Sequence, residues 1–203
     1  MARPRKVSDS AVLAACERVI GKHGPNFTLA HVAAEAGVAV GTVAGRFGSK
    51  HGLLVALMDA STAVLEERMR AVAQEHDDPV AAVRAALLAT VVGIDDPETA
   101  ARHLGQLGVD LADPVLRERF ARQRKVVREV LAELLAKASL PGAPAAESAA
   151  ALLASLAQGV QLDWALEPEG ALSELLSDEL DPLLRAWGNP VSDGHAHSRR
   201  DGR

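Results

Sequence analysis

The sequence predicts an all-α protein of about nine helices: a three-helix head over residues 1–52, a larger helical body over 53–188 and a tail over 189–203. Three observations carry this. The chain is 48% apolar but only 2% aromatic, so its core is built from Ala, Leu and Val, a mixture that suits helices packed closely through small residues. Apolar residues recur at intervals of three and four through most of the chain. Asp-Pro pairs at 78–79, 96–97, 113–114 and 181–182 each place a capping carboxylate before a residue with preset φ and no N–H to lose, which marks helix starts.

In order along the chain, the first helix begins at Ser8 or Asp9 and ends near Gly24-Pro25, with Leu13, Cys16 and Ile20 as a floor for the next two helices. Cys16, the only cysteine, shares an apolar face with Val12 and Val19 and reads as a buried structural thiol. Residues 27–53 read as helix, tight turn, helix. Thr28 is placed to cap the first of these, and Gly37 falls just past its end, where a residue without Cβ accepts the left-handed conformation. Ala33 leaves room for a steep crossing, and Val32, Val38 and Val43 plug it from beneath, which makes a helix-turn-helix. The spacing fits the DNA-reading version, whose second helix, roughly 40–47, lies in the major groove.

Leu53, Leu54, Leu57, Met58, Val64 and Leu65 then run at helical spacing to about Gln74, long enough to link head and body. The Asp-Pro signals give helices of roughly 79–93, 97–108 and 114–138 and a kink or restart near Pro182. In the third, Phe120, Val127, Val130, Leu131 and Leu134 form the buried side. Arg117, Arg119, Arg122, Arg124, Lys125 and Arg128 are assigned to a solvated face, with Lys125 pairing Glu129 one turn on. After the loop 139–144 come helices over about 145–166 and 171–187, the second with an unbroken stripe that includes Leu172, Leu176, Leu180 and Leu183. The tail is polar and without periodicity, the composition of disordered chain, and its His195 and His197 lack the further ligands a metal site needs.

Net charge is −5, which by itself argues against a nucleic-acid partner, but the charge is unevenly placed. Residues 1–52 hold Arg3, Arg5, Lys6, Arg18, Lys22, Arg46 and Lys50 against Asp9, Glu17 and Glu35, so a basic head precedes an acidic body. The arm of Arg3, Arg5 and Lys6 can reach phosphates or the minor groove, and a frayed terminus that only aids solubility would carry the same residues. No run approaches the roughly 20 apolar residues that span a bilayer, and the N-terminus lacks a signal-peptide core, so a cytosolic protein is expected. Neither a P-loop, a dinucleotide fingerprint, a zinc-protease HExxH nor a nucleophile elbow occurs, and an enzyme, a metal or another cofactor is not expected.

The run Gly41-Thr42-Val43, then Arg46-Phe47-Gly48-Ser49-Lys50 and Leu53-Leu54, resembles the end of the recognition helix and the lead into the next helix in the TetR family of bacterial transcriptional repressors. The resemblance spans residues 12–57. This chain departs from the family's pattern at Ala39, Val40 and Ala44, where Ser or Thr, Lys, and Tyr are common. An uncapped Ala39 costs roughly 1 kcal/mol of helix stability, and glycines at 41 and 45 about 1 kcal/mol each against Ala. What the resemblance implies is a dimeric, ligand-responsive DNA-binding regulator. Thr28, Ala39, Val40, Gly41, Thr42, Gly45, Arg46 and Lys50, with the basic arm, would face DNA. The last two long helices would pair with their copies in a homodimer through Leu152, Leu156, Val160, Leu172, Leu176, Leu180 and Leu183; an intramolecular core would show the same pattern. His103, Gln106, Gln161 and Trp164, polar groups in apolar stretches, are the candidates for lining a pocket for a small apolar effector. The rival reading is a helical ligand-binding or adaptor protein of the same shape without DNA recognition.

Overall fold

The computed structural model describes residues 7–189, so the basic arm Arg3, Arg5 and Lys6 and the tail histidines lie outside the described residues. Those residues form nine α-helices and one 3-10 turn: α1 Asp9–His23, the turn Gly24–Asn26, α2 Leu29–Ala36, α3 Val40–Phe47, α4 Lys50–Gln74, α5 Pro79–Leu88, α6 Pro97–Ala112, α7 Pro114–Leu135, α8 Ala146–Leu166 and α9 Leu172–Gly188.

Side-chain caps explain most of the starts. Ser8 accepts a hydrogen bond from the Ala11 amide, Thr28 from His31, and Ser49 from Gly52. Asp78, Asp96 and Asp113 do the same for α5, α6 and α7, each followed by a proline in the first turn. The fourth Asp-Pro pair behaves otherwise. α9 runs unbroken through Pro182, and the Asp181 carboxylate, instead of capping, accepts from Arg84 Nε at 2.7 Å. An interior proline costs about 3 kcal/mol of helix stability, which burial of Leu176, Leu180, Leu184 and Trp187 on the same helix offsets. α5 is shorter than expected. Just past its end the Thr90 hydroxyl donates to the Leu87 carbonyl at 2.7 Å, and Gly93 turns the chain at φ 87°.

Two cores form. The head core joins Val12, Cys16, Val19 and Ile20 of α1 to Phe27, Val32, Ala33, Val43, Leu53 and Leu54, and Leu116 of α7 completes it. The expected boundary at residue 52 therefore falls inside α4, which belongs to both units. Cys16 is fully buried there, and burial pushes its thiol up to about 12. The larger core packs α5, α7, α8 and α9 around Leu87, Leu131, Leu153, Leu176 and Leu180.

Candidate nucleic-acid interface and body cavity

α2 ends where Gly37 takes the left-handed conformation at φ 67°, and the Val38 amide donates back to the Ala33 carbonyl at 2.9 Å. α3 starts at Ala39 with no side-chain cap. Val43 is fully buried beneath it and anchors the helix, while Val40 is 46% exposed and Ala39, Gly41 and Gly45 are exposed. Those four exposed residues offer no hydrogen-bonding side chain, and the half-buried Thr42 supplies the helix's only hydroxyl. Such a face offers methyl contacts and close backbone approach to a groove floor.

The basic residues expected at phosphates have partners within the head. Arg46 Nη1 donates to the Val7 carbonyl at 2.6 Å and to Asp9 Oδ1 at 3.0 Å, so it pins the segment leading into α1. Lys50 Nζ donates to the Pro25 carbonyl at 2.6 Å and sits 4.1 Å from the centroid of the Phe27 ring. Arg18 and Lys22 both clasp Glu35, at 2.8 and 2.7 Å, and these two bonds hold its carboxyl down at about 2. Every Lys and Arg among the described residues of the head thus has an acceptor in the chain itself.

Head and body meet chiefly through α6. Gly21 of α1 lies so close to it that a Cβ would stand 2.9 Å from Thr99 Cγ2 and 3.4 Å from His103 Nε2. Arg102 Nη1 donates to the Gly21 carbonyl at 3.1 Å. At the other end of α6, Asp113 caps α7 and lies 3.3 Å from His51 Nε2, in the first turn of α4. The sequence points to α4 as the link; in the structure α6 bears on the head at both of its ends.

The body holds a cavity of about 270 Å³. Its apolar wall comes from Leu65, Leu87, Val91, Leu104, Leu107, Phe120, Val127, Ala154 and Ala157, and its polar groups are Thr90, His103, Gln123, Arg124, Gln158 and Gln161. Burial lowers the affinity of the His103 imidazole for its proton, so the ring is neutral at pH 7. A smaller cavity of about 150 Å³ lies between α1, α4 and α6, lined by Glu17, Ile20, Leu54, Met58 and others, and it shares His103, Leu107 and Gln123 with the first. There Gln106 Nε2 donates to Asp110 Oδ1 at 2.6 Å, both side chains are buried, and Gln106 Oε1 has no partner among the described residues. Burial raises the Asp110 carboxyl above its ordinary range, opposed by that bond.

Of the expected pocket residues, His103 and Gln161 line the larger cavity and Gln106 the smaller. Trp164 lies apart from both: it is buried, and its Nε1–H donates to the Gly170 carbonyl at 3.1 Å, closing the α8–α9 turn. Of the residues expected between subunits, Leu172, Leu176 and Leu180 are taken up by the protomer's own core, because α9 turns that stripe onto α5 and α8. Leu156, Val160 and Leu183 are half-buried, and Leu152 is 53% exposed. Leu162 and Leu166, not among the expected residues, are 46% and 71% exposed. Arg124, assigned to a solvated face, instead lines the cavity. It stands four residues after Phe120 and three before Val127, the spacing of α7's buried side, and that signal is present in the sequence.

A basic three-helix head with a helix-turn-helix, set on a helical body that contains a cavity, is the architecture of a ligand-responsive DNA-binding regulator. Residues 12–57 match the family described as bacterial regulatory proteins, tetR family. The head is thus similar to that family over those residues, and the described chain shares its fold with solved transcriptional regulators. A transcriptional regulator from Rhodococcus sp. Rha1 is 26% identical, with 88% of this chain and 96% of that one covered and a TM-score of 0.69. FadR from Bacillus subtilis, solved in complex with stearoyl-CoA, is 19% identical over 88% and 99% of the two chains, with a TM-score of 0.72. SmeT, the repressor of the Stenotrophomonas maltophilia multidrug efflux pump SmeDEF, is 22% identical over 93% of each chain, with a TM-score of 0.67. No curated protein matches the sequence. Among the described residues, no helix is long and apolar enough to cross a membrane.

Proposed function

We propose that the protein is a dimeric, cytoplasmic transcriptional repressor that leaves its operator when a small, mainly apolar molecule fills the body cavity. The observation that carries this reading is the sharing of His103, Leu107 and Gln123 between the body cavity and the one at the head joint. A ligand that displaces those side chains presses on α6, and α6 has no slack against α1, because Gly21 admits no gap. The head then moves relative to its copy in the other subunit. Two recognition helices must enter successive major grooves about 34 Å apart, so a shift of a few ångströms breaks the phosphate register on which both heads depend.

The exposed side of α8, where Leu152, Leu162 and Leu166 stand out of the protomer, supports a subunit interface. Spacings of ten and four residues put these three leucines on one side of the helix, and Leu156, Val160 and Leu183 are half-buried. Phosphate contact falls to the arm of Arg3, Arg5 and Lys6, since Arg46 and Lys50 serve the head's own structure.

The test is thermodynamic reciprocity. A ligand that weakens operator binding 100-fold corresponds to about 2.7 kcal/mol of coupling, and saturating operator must weaken that ligand by the same factor. Calorimetry showing equal ligand affinity with and without operator DNA would exclude a ligand-released repressor. A gel shift with the protein's own upstream region that shows no discrimination against unrelated DNA would favour the adaptor reading.

A further inference from the structure

The body cavity is apolar over most of its wall yet contains one guanidinium with no counter-ion among the described residues. Arg124 comes from α7, and its only hydrogen bond among those residues runs from Nη1 to the Ala154 carbonyl at 3.0 Å on α8. No carboxylate among them pairs with it; on the same helix Arg119 and Arg122 approach Asp59 at 3.6 and 3.7 Å and Lys125 approaches Glu129 at 3.6 Å, while Arg117 and Arg128 also lack an acid, and of these cations only Arg124 lines the cavity. A guanidinium has five N–H donors in a planar fork that matches a carboxylate edge. Holding such a group half-buried in an apolar wall without an anion is costly. The cost is recovered when an anion enters.

We infer that the cavity takes a monocarboxylate with an apolar tail, its carboxylate on Arg124 and its tail against Leu87, Leu104, Leu107 and Val127. This rests on the proposed effector site and names its ligand class: amphiphilic and anionic, in place of purely apolar. The other polar groups on the wall are neutral amides, a hydroxyl and the neutral His103, so the cavity has no acid to repel the head group. Size limits the tail. At ~30 Å³ for each water-sized group, 270 Å³ admits about nine such groups, two of them the carboxylate oxygens, which corresponds to a carboxylic acid of about six to eight carbons.

The probes are octanoate, 1-octanol and octylammonium, with hexanoate and decanoate to bracket length, titrated into the full-length protein by calorimetry at pH 7. Octanoate is expected to bind at least tenfold more tightly than octanol, with octylammonium weakest. Arg124→Gln should abolish the preference for octanoate over octanol, with an unchanged melting temperature and circular dichroism spectrum showing that the protein is still folded, and Arg124→Lys should restore part of it. Equal affinities for octanoate and octanol in the wild type, tighter binding of octylammonium, an unaltered preference in Arg124→Gln, or no binding across the acid series at millimolar concentration would each overturn the assignment. A parallel operator gel shift separates the two claims. Octanoate that binds through Arg124 without weakening DNA leaves the site standing and removes the release mechanism. Release of DNA that is equally strong in Arg124→Gln leaves the regulator standing and removes this ligand class.

Discussion

The head and the body cavity handle charge differently. In the head each described cation is spoken for: Arg18 and Lys22 by Glu35, Arg46 by Val7 and Asp9, Lys50 by Pro25. In the body, among the described residues, the cavity keeps Arg124 without an acid, and the joint keeps Gln106 Oε1 without a donor. Two carboxyls show the same divide. Glu35 is drawn down to about 2 by its two cations, whereas burial drives Asp110 upward. A basic residue in a DNA-binding head is therefore not a phosphate contact by default. Among the described residues, Arg124 in the cavity and Gln106 Oε1 at the joint keep hydrogen-bonding capacity that a ligand can use.

The largest effect is expected from placing charge in the body core. Leu176→Asp buries an unpaired carboxylate and should cost about 4 kcal/mol or more, enough to unfold the body. Leu166→Asp, on the exposed side of α8, should leave the circular dichroism spectrum and the melting temperature of the protomer unchanged while light scattering reports a monomer. Equal unfolding by both would mean that the α8 leucines belong to the protomer core after all. Next in size is the arm. Removing residues 1–6 takes Arg3, Arg5 and Lys6 from each subunit, and the slope of log affinity of the dimer for DNA against log salt should become shallower by about five, at about 0.9 for each of the phosphate contacts of the two arms. Arg18→Ala should leave that slope unaltered.

Lys50→Ala should show that a head cation is structural. Loss of its bond to the Pro25 carbonyl and its place over Phe27 costs about 1–2 kcal/mol of stability, read as a lower denaturation midpoint in high salt, where phosphate contacts are screened. An unchanged midpoint with weakened DNA binding would return Lys50 to the phosphate-contacting role. The smallest effects are those of pH, and they have opposite signs. The Glu35 clasp contributes in full above the carboxyl's ordinary value of 4.5 and is lost as pH falls towards about 2, so Glu35→Gln should lower stability at pH 7 and not at pH 2. Asp110 contributes in full below its ordinary 3.8 and its contribution is lost as pH rises through the raised value. Asp110→Asn should therefore be neutral or stabilising at pH 7, since an amide there can also serve Gln106 Oε1. Destabilisation by Asp110→Asn would show that the charged carboxylate is needed at the joint.

The helix order was legible because its signals are local: Thr28, Asp78, Asp96 and Asp113 cap within three residues of themselves, and Gly37 sits where its φ demands. The Asp-Pro rule failed once, at Pro182, because a local start signal lost to burial of the stripe on either side of it. What periodicity leaves open is the identity of the surface that receives an apolar stripe, so Leu172, Leu176 and Leu180 fit a subunit interface and a protomer core equally well until α5 and α8 are seen against them. Partners far apart in sequence were out of reach for the same reason. Arg46 meets Val7 across 39 residues, and Arg124 meets Ala154 across 30. Arg124 was the exception that spacing alone reaches, hidden by a charge-rich run that reads as solvated.

The bare recognition helix bears on engineering. A Cβ built at Gly41 or Gly45 meets no heavy atom within 4 Å, and both residues face outward. Neither substitution disturbs the head core, and each glycine replaced by Ala gains about 1 kcal/mol of helix propensity. Longer side chains can then be written onto the same two positions, Arg to seek guanine or Asn to seek adenine. The helix is a blank page for reprogramming: a surface onto which base-reading side chains can be written without repacking anything beneath it.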